Sequence, residues 1–213
     1  MGNPVRKIPH RTRGVRGYFY SIKNGRRVDY ESLNEQCLMK VLETNPEIES
    51  YCEQPLKLEF EWNGRTYPYT PDLFSTDIYS QSILYEVKPE EAIKKDDGRL
   101  QAKFEVAREY CSGRGWKFAI VTDAIRNSKE FQRADFLWPH LMNPGADMNR
   151  AEELLQSVRQ STYFKMQDIS GSLSWANPDY CLLLYLVARG KLVETPYGQF
   201  KEDTVLQVFG NNG

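Results

Sequence analysis

The chain has 213 residues, 40% of them hydrophobic and 27% charged, with a formal net charge of −1. That length and apolar content suffice for one generous domain, or for a core domain with a small appendage; the near-zero charge excludes a protein that coats nucleic acid by charge alone. No run approaches the length of a membrane span, and the opening MGNPVRKIPHRTRG lacks the apolar middle of a signal peptide, so no membrane association is expected.

The first element is basic. Through Arg27 it carries Arg6, Lys7, Arg11, Arg13, Arg16, Lys23, Arg26 and Arg27 with no acidic residue, interleaved with Tyr18, Phe19 and Tyr20. Such a segment suits contacts to DNA phosphates, with Arg11, Arg13 and Arg16 as candidates; a flexible solubilising tail is the alternative. From Ser32 the spacing turns helical, with Leu33, Cys37, Leu38, Val41 and Leu42 on one face and an end near Asn45-Pro46. Strand-like runs over 56–62 and 65–69 are joined by Asn63-Gly64, a strong hairpin signal. Further strands are predicted over 72–74 and 83–88, around a polar turn over 75–82. Residues 99–110 read as an amphipathic helix stopped near Ser112-Gly113. Residues 116–122 (WKFAIVT) read as an apolar strand of the kind buried on both faces. Helix, antiparallel strands, helix and buried strand make an α/β sandwich.

Residues 139–145 have the composition of a linker, and a second pattern follows. A helix is predicted over 150–159. Asn177-Pro178 supplies an N-cap and first-turn proline for another that runs to Arg189 and is closed by Gly190. Residues 191–194 and 204–209 then pair as a hairpin, which suggests a small winged-helix module. The expected organisation is a basic arm over 1–28, an α/β domain over 29–140 and the helical module over 147–213.

Cys37, Cys52, Cys111 and Cys181 are scattered, and the only histidines are His10 and His140. No zinc spacing exists, and the cysteines read as reduced cytosolic thiols, mostly buried. The shortage of histidine leaves carboxylates and lysine as the actors in any chemistry.

In the strand over 83–88, Glu86 and Lys88 share a face and lie roughly 7 Å apart. Taken alone, they fit a solvated strand end carrying an ion pair. Asp72 stands opposite Glu86 if the hairpin turns near Tyr79, inside the predicted turn. Two opposed carboxylates on a sheet are destabilising unless something positive sits between them; a divalent cation such as Mg²⁺ meets that need. Glu35 lies in the core-facing arc of its helix, with Leu38, Met39 and Leu42, and an ionisable group there needs a partner. Ser32-Leu-Asn-Glu35 also fits a capping box, and both readings stand.

Pro71-Asp72, thirteen intervening residues and Glu86-x-Lys88, flanked by the helices described, resemble the PD-(D/E)XK nuclease core. More closely, the stretches SLNEQCLMKVLE, YCEQPLKL, YTPDLF, YEVKP and WKFAIVTD are similar to those of the TnsA family, the endonuclease subunits of heteromeric cut-and-paste transposases. The resemblance implies a restriction-endonuclease-like α/β core with a mixed central sheet flanked by helices. It implies Mg²⁺-dependent cleavage, with Mn²⁺ as a substitute, of the 5′-end strands of double-stranded DNA at transposon ends. A DDE-type transposase would process the 3′ ends, an AAA+ ATPase regulator would contact the C-terminal domain, and the protein would work in the bacterial cytoplasm at the nucleoid. By the same resemblance Glu35, Asp72, Glu86 and Lys88 are the active-site residues. Asp72, Glu86 and the Val87 carbonyl would hold the metal, Glu35 would hold it through water or complete a second site, and Lys88 would assist attack. Lys103, on the following helix, is a candidate phosphate contact, against the alternative of a solvated helix face. Two other functions fit the same elements: a stand-alone restriction or repair nuclease, and a non-catalytic DNA-bound scaffold.

Overall fold

The computed structural model of the protein describes residues 15–142, 147–159 and 164–210. Arg11 and Arg13, the first two candidate DNA contacts, lie outside the described residues. From residue 17 the basic stretch is a hairpin rather than an arm: β1 (Gly17–Ser21) pairs antiparallel with β2 (Arg26–Tyr30). Its cations are engaged within the fold. Arg16 pairs with Glu31 at 2.9 Å, Arg26 grips the buried Glu53 carboxylate with two bonds of 2.8 Å, Arg27 meets Asp29, and Lys23 reaches the Ile48 carbonyl. Arg16, expected at DNA, therefore serves an internal ion pair. The run looked unopposed because its carboxylate partners follow later in the sequence.

Ser32 starts α1 (Leu33–Thr44), which buries Leu38, Met39 and Leu42. Next comes β3 (Ile48–Glu53), a strand whose IESYCE pattern has too little alternation to announce itself. The hairpin of β4 (Leu58–Trp62) and β5 (Arg65–Tyr69) turns at Asn63 and Gly64, whose φ values of 50° and 69° are the positive pair a tight hairpin requires. β6 (Leu73–Asp77) and β7 (Ser82–Val87) extend into the stretch predicted as turn. The turn shrinks to 78–81 because the Asp77 carboxylate accepts the N–H groups of Tyr79 and Gln81 at 2.9 and 2.8 Å. After α2 (Glu90–Lys94), α3 (Arg99–Ser112) leads into β8 (Lys117–Val121).

These strands form a mixed sheet in the order β3-β6-β7-β8, antiparallel except for the parallel β7–β8 pair. Alternation along β7 assigns the two faces. Tyr85 and Val87 join Leu38, Met39 and Leu42 of α1, while Leu84 joins Phe60, Tyr69, Ala107 and Cys111 from the β4–β5 hairpin and α3. The layers are those of a restriction-endonuclease-like α/β core. One expectation fails: β8 lies at the sheet edge and none of its residues is fully buried. An apolar run reports packing against something, and it does not distinguish a central strand from an edge strand.

The chain folds as two units. One comprises residues up to Glu43 with Ile48–Arg126, and the other Thr44–Glu47 with the residues from Asn127 onward. The division thus falls before α4 (Lys129–Leu141), not in the linker-like stretch 139–145, and α4 carries Pro139 within its last turn. The second unit continues with α5 (Met148–Arg159), β9 (Phe164–Lys165), α6 (Met166–Ser170), α7 (Pro178–Ala188), β10 (Leu192–Thr195) and β11 (Val205–Val208). Asn177 caps α7 as expected, accepting the Asp179 and Tyr180 N–H groups at 3.0 and 3.3 Å. The predicted β10–β11 hairpin forms and gains β9 as a third strand. Cys37, Cys52 and Cys111 are buried free thiols and Cys181 is partly exposed; no described helix is long and apolar enough to cross a membrane.

Candidate active site

The β6–β7 register pairs Leu73 with Tyr85 and carries the next pair, Asp72 and Glu86, to the end of the hairpin. There the Asp72 side chain takes over from the backbone ladder, its Oδ2 accepting the Val87 N–H at 2.7 Å. Glu86 is 1% exposed. Its Oε2 accepts the Tyr69 hydroxyl at 2.8 Å, and its Oε1 meets the Lys88 ammonium at 2.8 Å. The same ammonium lies 3.3 Å from Asp72 Oδ2 and 3.0 Å from the Val87 carbonyl oxygen. Two carboxylates and one carbonyl thus converge on a single positive charge. The positive group that the opposed acids require is supplied by the chain itself.

Glu35 reconciles its two readings. Its carboxylate accepts the Glu31 N–H at 2.8 Å and the Ser32 hydroxyl at 2.9 Å, while Ser32 Oγ accepts the Glu35 N–H at 3.2 Å, so it does cap α1. It also feels the cluster. Burial and the Asp72 charge push its pKa up to about 7, opposed by its hydrogen bonds and by Lys88. Glu86 is likewise pushed up to about 7, by burial first and by Asp72 second. Burial works against the Lys88 ammonium, yet Asp72 and Glu86 outweigh it and hold that pKa above the ordinary lysine value.

Residues 45–123 match the family model described as TnsA-like endonuclease N terminal. This segment is a TnsA-like endonuclease domain. Asp72, Glu86, Lys88 and Lys103 lie within the matched span, and Glu35 lies ahead of it. A search of curated proteins finds no match to the chain. Over that segment the chain is thus of the TnsA-like endonuclease type, on the PD-(D/E)XK core.

Around the TnsA-like site, no three His, Cys, Asp or Glu side chains among the described residues gather closely enough to ligate one ion. The donor chemistry nevertheless fits a divalent cation, since Asp72, Glu86 and Val87 present hard oxygens already aimed at one cationic centre. Glu35, named with them as a ligand, also accepts hydrogen bonds from Ser32 and the Glu31 N–H. Tyr69 is the site residue that sequence reasoning missed. It belongs to the neighbouring β4–β5 hairpin, and the one hint was its place three residues before Asp72 in YTPDLF. Lys103 is not a solvated helix residue: it is half-buried, 5.4 Å from the Tyr69 ring centroid and 5.7 Å from that of Phe60. Burial lowers its pKa, with Glu86 pulling the other way.

The raised carboxylates imply a pH dependence. Between their unfolded value near 4.5 and a folded value of about 7, the folded protein binds more protons than the unfolded one, so this contribution to stability falls as pH rises through that window. His140, its pKa lowered by burial in the second unit, acts in the opposite sense. The measurement is therefore a comparison with Glu86→Gln in metal-free buffer. On acidification from pH 7.5 to 5.5, wild type should gain thermal stability relative to the variant; parallel melting curves would show that Glu86 is an ordinary carboxylate.

Proposed function

We propose that the protein is a divalent-metal-dependent DNA endonuclease subunit that hydrolyses the 5′-end strands at transposon ends during cut-and-paste transposition. The observation that carries this reading is the convergence of Asp72 Oδ2, Glu86 Oε1 and the Val87 carbonyl on the Lys88 ammonium, within 3.3 Å. Asp72, Glu86 and Val87 would hold Mg²⁺ or Mn²⁺, with Glu35 beside them. Such an ion polarises a phosphoryl oxygen and lowers the pKa of water. Tyr69 keeps Glu86 aimed by occupying its second oxygen. Lys88 would orient the attacking water or neutralise charge developing on phosphorus. The water oxygen bonds to phosphorus as the bond to the leaving deoxyribose oxygen breaks.

The helices and the β10-β11-β9 sheet of the second unit support a winged-helix-like module. In this reading it faces an AAA+ ATPase regulator, a DDE-type transposase processes the 3′ ends, and the complex acts on the nucleoid of a bacterial cytoplasm. The near-neutral charge agrees with a nuclease whose specificity comes from partners. The test is strand-resolved cleavage of transposon-end DNA in Mg²⁺ with the cognate transposase, comparing wild type with Asp72→Ala. Nicks on the 5′ strands with wild type alone, alongside 3′ cutting in both, are expected. Identical products from both proteins, with DNA binding retained, would leave a scaffold.

A further inference from the structure

Beside the carboxylate cluster, two cations of α3 stand on an aromatic floor. Arg99 and Lys103 are one helical turn apart on the same face. The Arg99 guanidinium lies 4.6 Å from the Tyr67 ring centroid and 5.7 Å from that of Trp62, while Lys103 covers Phe60 and Tyr69. All four rings come from the β4–β5 hairpin, where Phe60 stacks on Tyr67 and meets Tyr69 edge to face. Among the described residues, neither cationic side chain has a carboxylate partner in an ion pair or hydrogen bond. Asp96 and Asp97, which precede α3, accept backbone N–H groups of Leu100, Gln101 and Arg99. This contrasts with the β1–β2 hairpin, where Arg26 and Arg27 are matched by Glu53 and Asp29.

We propose that Arg99 and Lys103, seated on the aromatic face of the β4–β5 hairpin, form a phosphate-binding strip that carries a DNA strand's backbone up to the Asp72–Glu86–Lys88 cluster. The inference rests on the nuclease reading for its direction and on the cation geometry for its existence. Lys103 marks the inner end, because the ring it covers belongs to the tyrosine whose hydroxyl holds Glu86. Arg99 marks the outer end: it is exposed, and its planar fork suits two phosphate oxygens at once. Four residues of helix separate the two by about 6 Å along the axis, on the scale of neighbouring phosphates in one strand. The rings hold the guanidinium and the ammonium themselves without accepting a conventional hydrogen bond from them, so an arriving phosphate finds donors already placed. A half-buried ammonium with no carboxylate in ion-pair contact is an unfavourable arrangement that a phosphate relieves. The ligand class is a polynucleotide backbone.

The test is fluorescence anisotropy of a labelled DNA duplex titrated with the full chain over a series of salt concentrations, in metal-free buffer. Wild type, Arg99→Gln, Lys103→Gln, the double variant and Lys103→Arg are compared, each checked for a native thermal melt. Each phosphate contact contributes about 0.9 to the slope of log affinity against log salt, so the double variant should lose about 2 from the slope and each single variant about 1. Lys103→Arg should keep most of it. Arg99→Gln alters an exposed side chain, so it keeps the test decisive if the Lys103 variants fold poorly. Unchanged slopes in Arg99→Gln and the double variant, or no measurable binding by wild type at low salt, would overturn the strip. If wild type fails to cleave DNA while the slope differences persist, the strip stands and the nuclease reading falls.

Discussion

Lys88→Ala is expected to slow strand cleavage about 10²–10³-fold, the usual cost of removing one preorganised group that stabilises developing charge. The same change should reshape the metal dependence of stability. In wild type the ammonium touches Asp72, Glu86 and Val87, so a divalent cation binding those oxygens would have to displace it. Removing it in metal-free buffer at pH 8 leaves a carboxylate that is 1% exposed without its cation. Breaking a buried ion pair typically costs about 3–5 kcal/mol. Here about 1–3 kcal/mol is expected, because Glu86 can take up a proton and Lys88 is itself partly exposed. The deficit should shrink toward pH 6. Added Mg²⁺ should then raise the melting temperature of Lys88→Ala more than that of wild type, since no internal cation competes for the oxygens. Thermal melts across a Mg²⁺ titration measure this directly. Equal Mg²⁺ shifts in the two proteins would mean that the ammonium does not stand where the metal binds.

Arg133→Ala is expected to destabilise the second unit by about 3–5 kcal/mol, which lowers its melting temperature by roughly 12–40 °C. Arg133 is 2% exposed. It holds Glu194 with two guanidinium nitrogens, donates to the Thr44 carbonyl at 2.9 Å and faces the Tyr197 ring at 5.0 Å. Glu194 in turn accepts the Gly198 N–H at 2.9 Å. Truncation strands a buried carboxylate and removes one donor from the Thr44 carbonyl. Replacing both partners with apolar residues, as in Arg133→Met with Glu194→Leu, removes the charges together and should recover much of the loss. Calorimetry of the three proteins separates the outcomes. A single variant that melts with wild type would show that the pair contributes little.

The two sites differ in how far the sequence reveals them. Asp72, Glu86 and Lys88 are readable because strand alternation and one turn centre fix their relation. With Tyr79 at the turn, the pairing of 72 with 86 is arithmetic, and the alternation of 83–88 places Glu86 on a defined face. The helix at Ser32, the Asn63-Gly64 hairpin and the Asn177 cap are readable for a similar reason, since each depends on contacts between residues close in the chain. The Arg133–Glu194 pair joins residues 61 apart, and no local pattern hints at it.

By itself, then, the sequence determined the period-two and helical segments, the opposition of two acids and the need for a cation between them. Tertiary structure alone decided which cation meets that need, because only packing brings Lys88 Nζ within 3.3 Å of three oxygens. It also decided that Tyr69 holds Glu86, that Arg16, Arg26 and Arg27 are answered by Glu31, Glu53 and Asp29, and that 117–121 is an edge strand. The physical reason is common to all of these. Local periodicity reports which face of an element is apolar, whereas the partner on that face is chosen by chain closure over long separations, which leaves no repeat in the sequence.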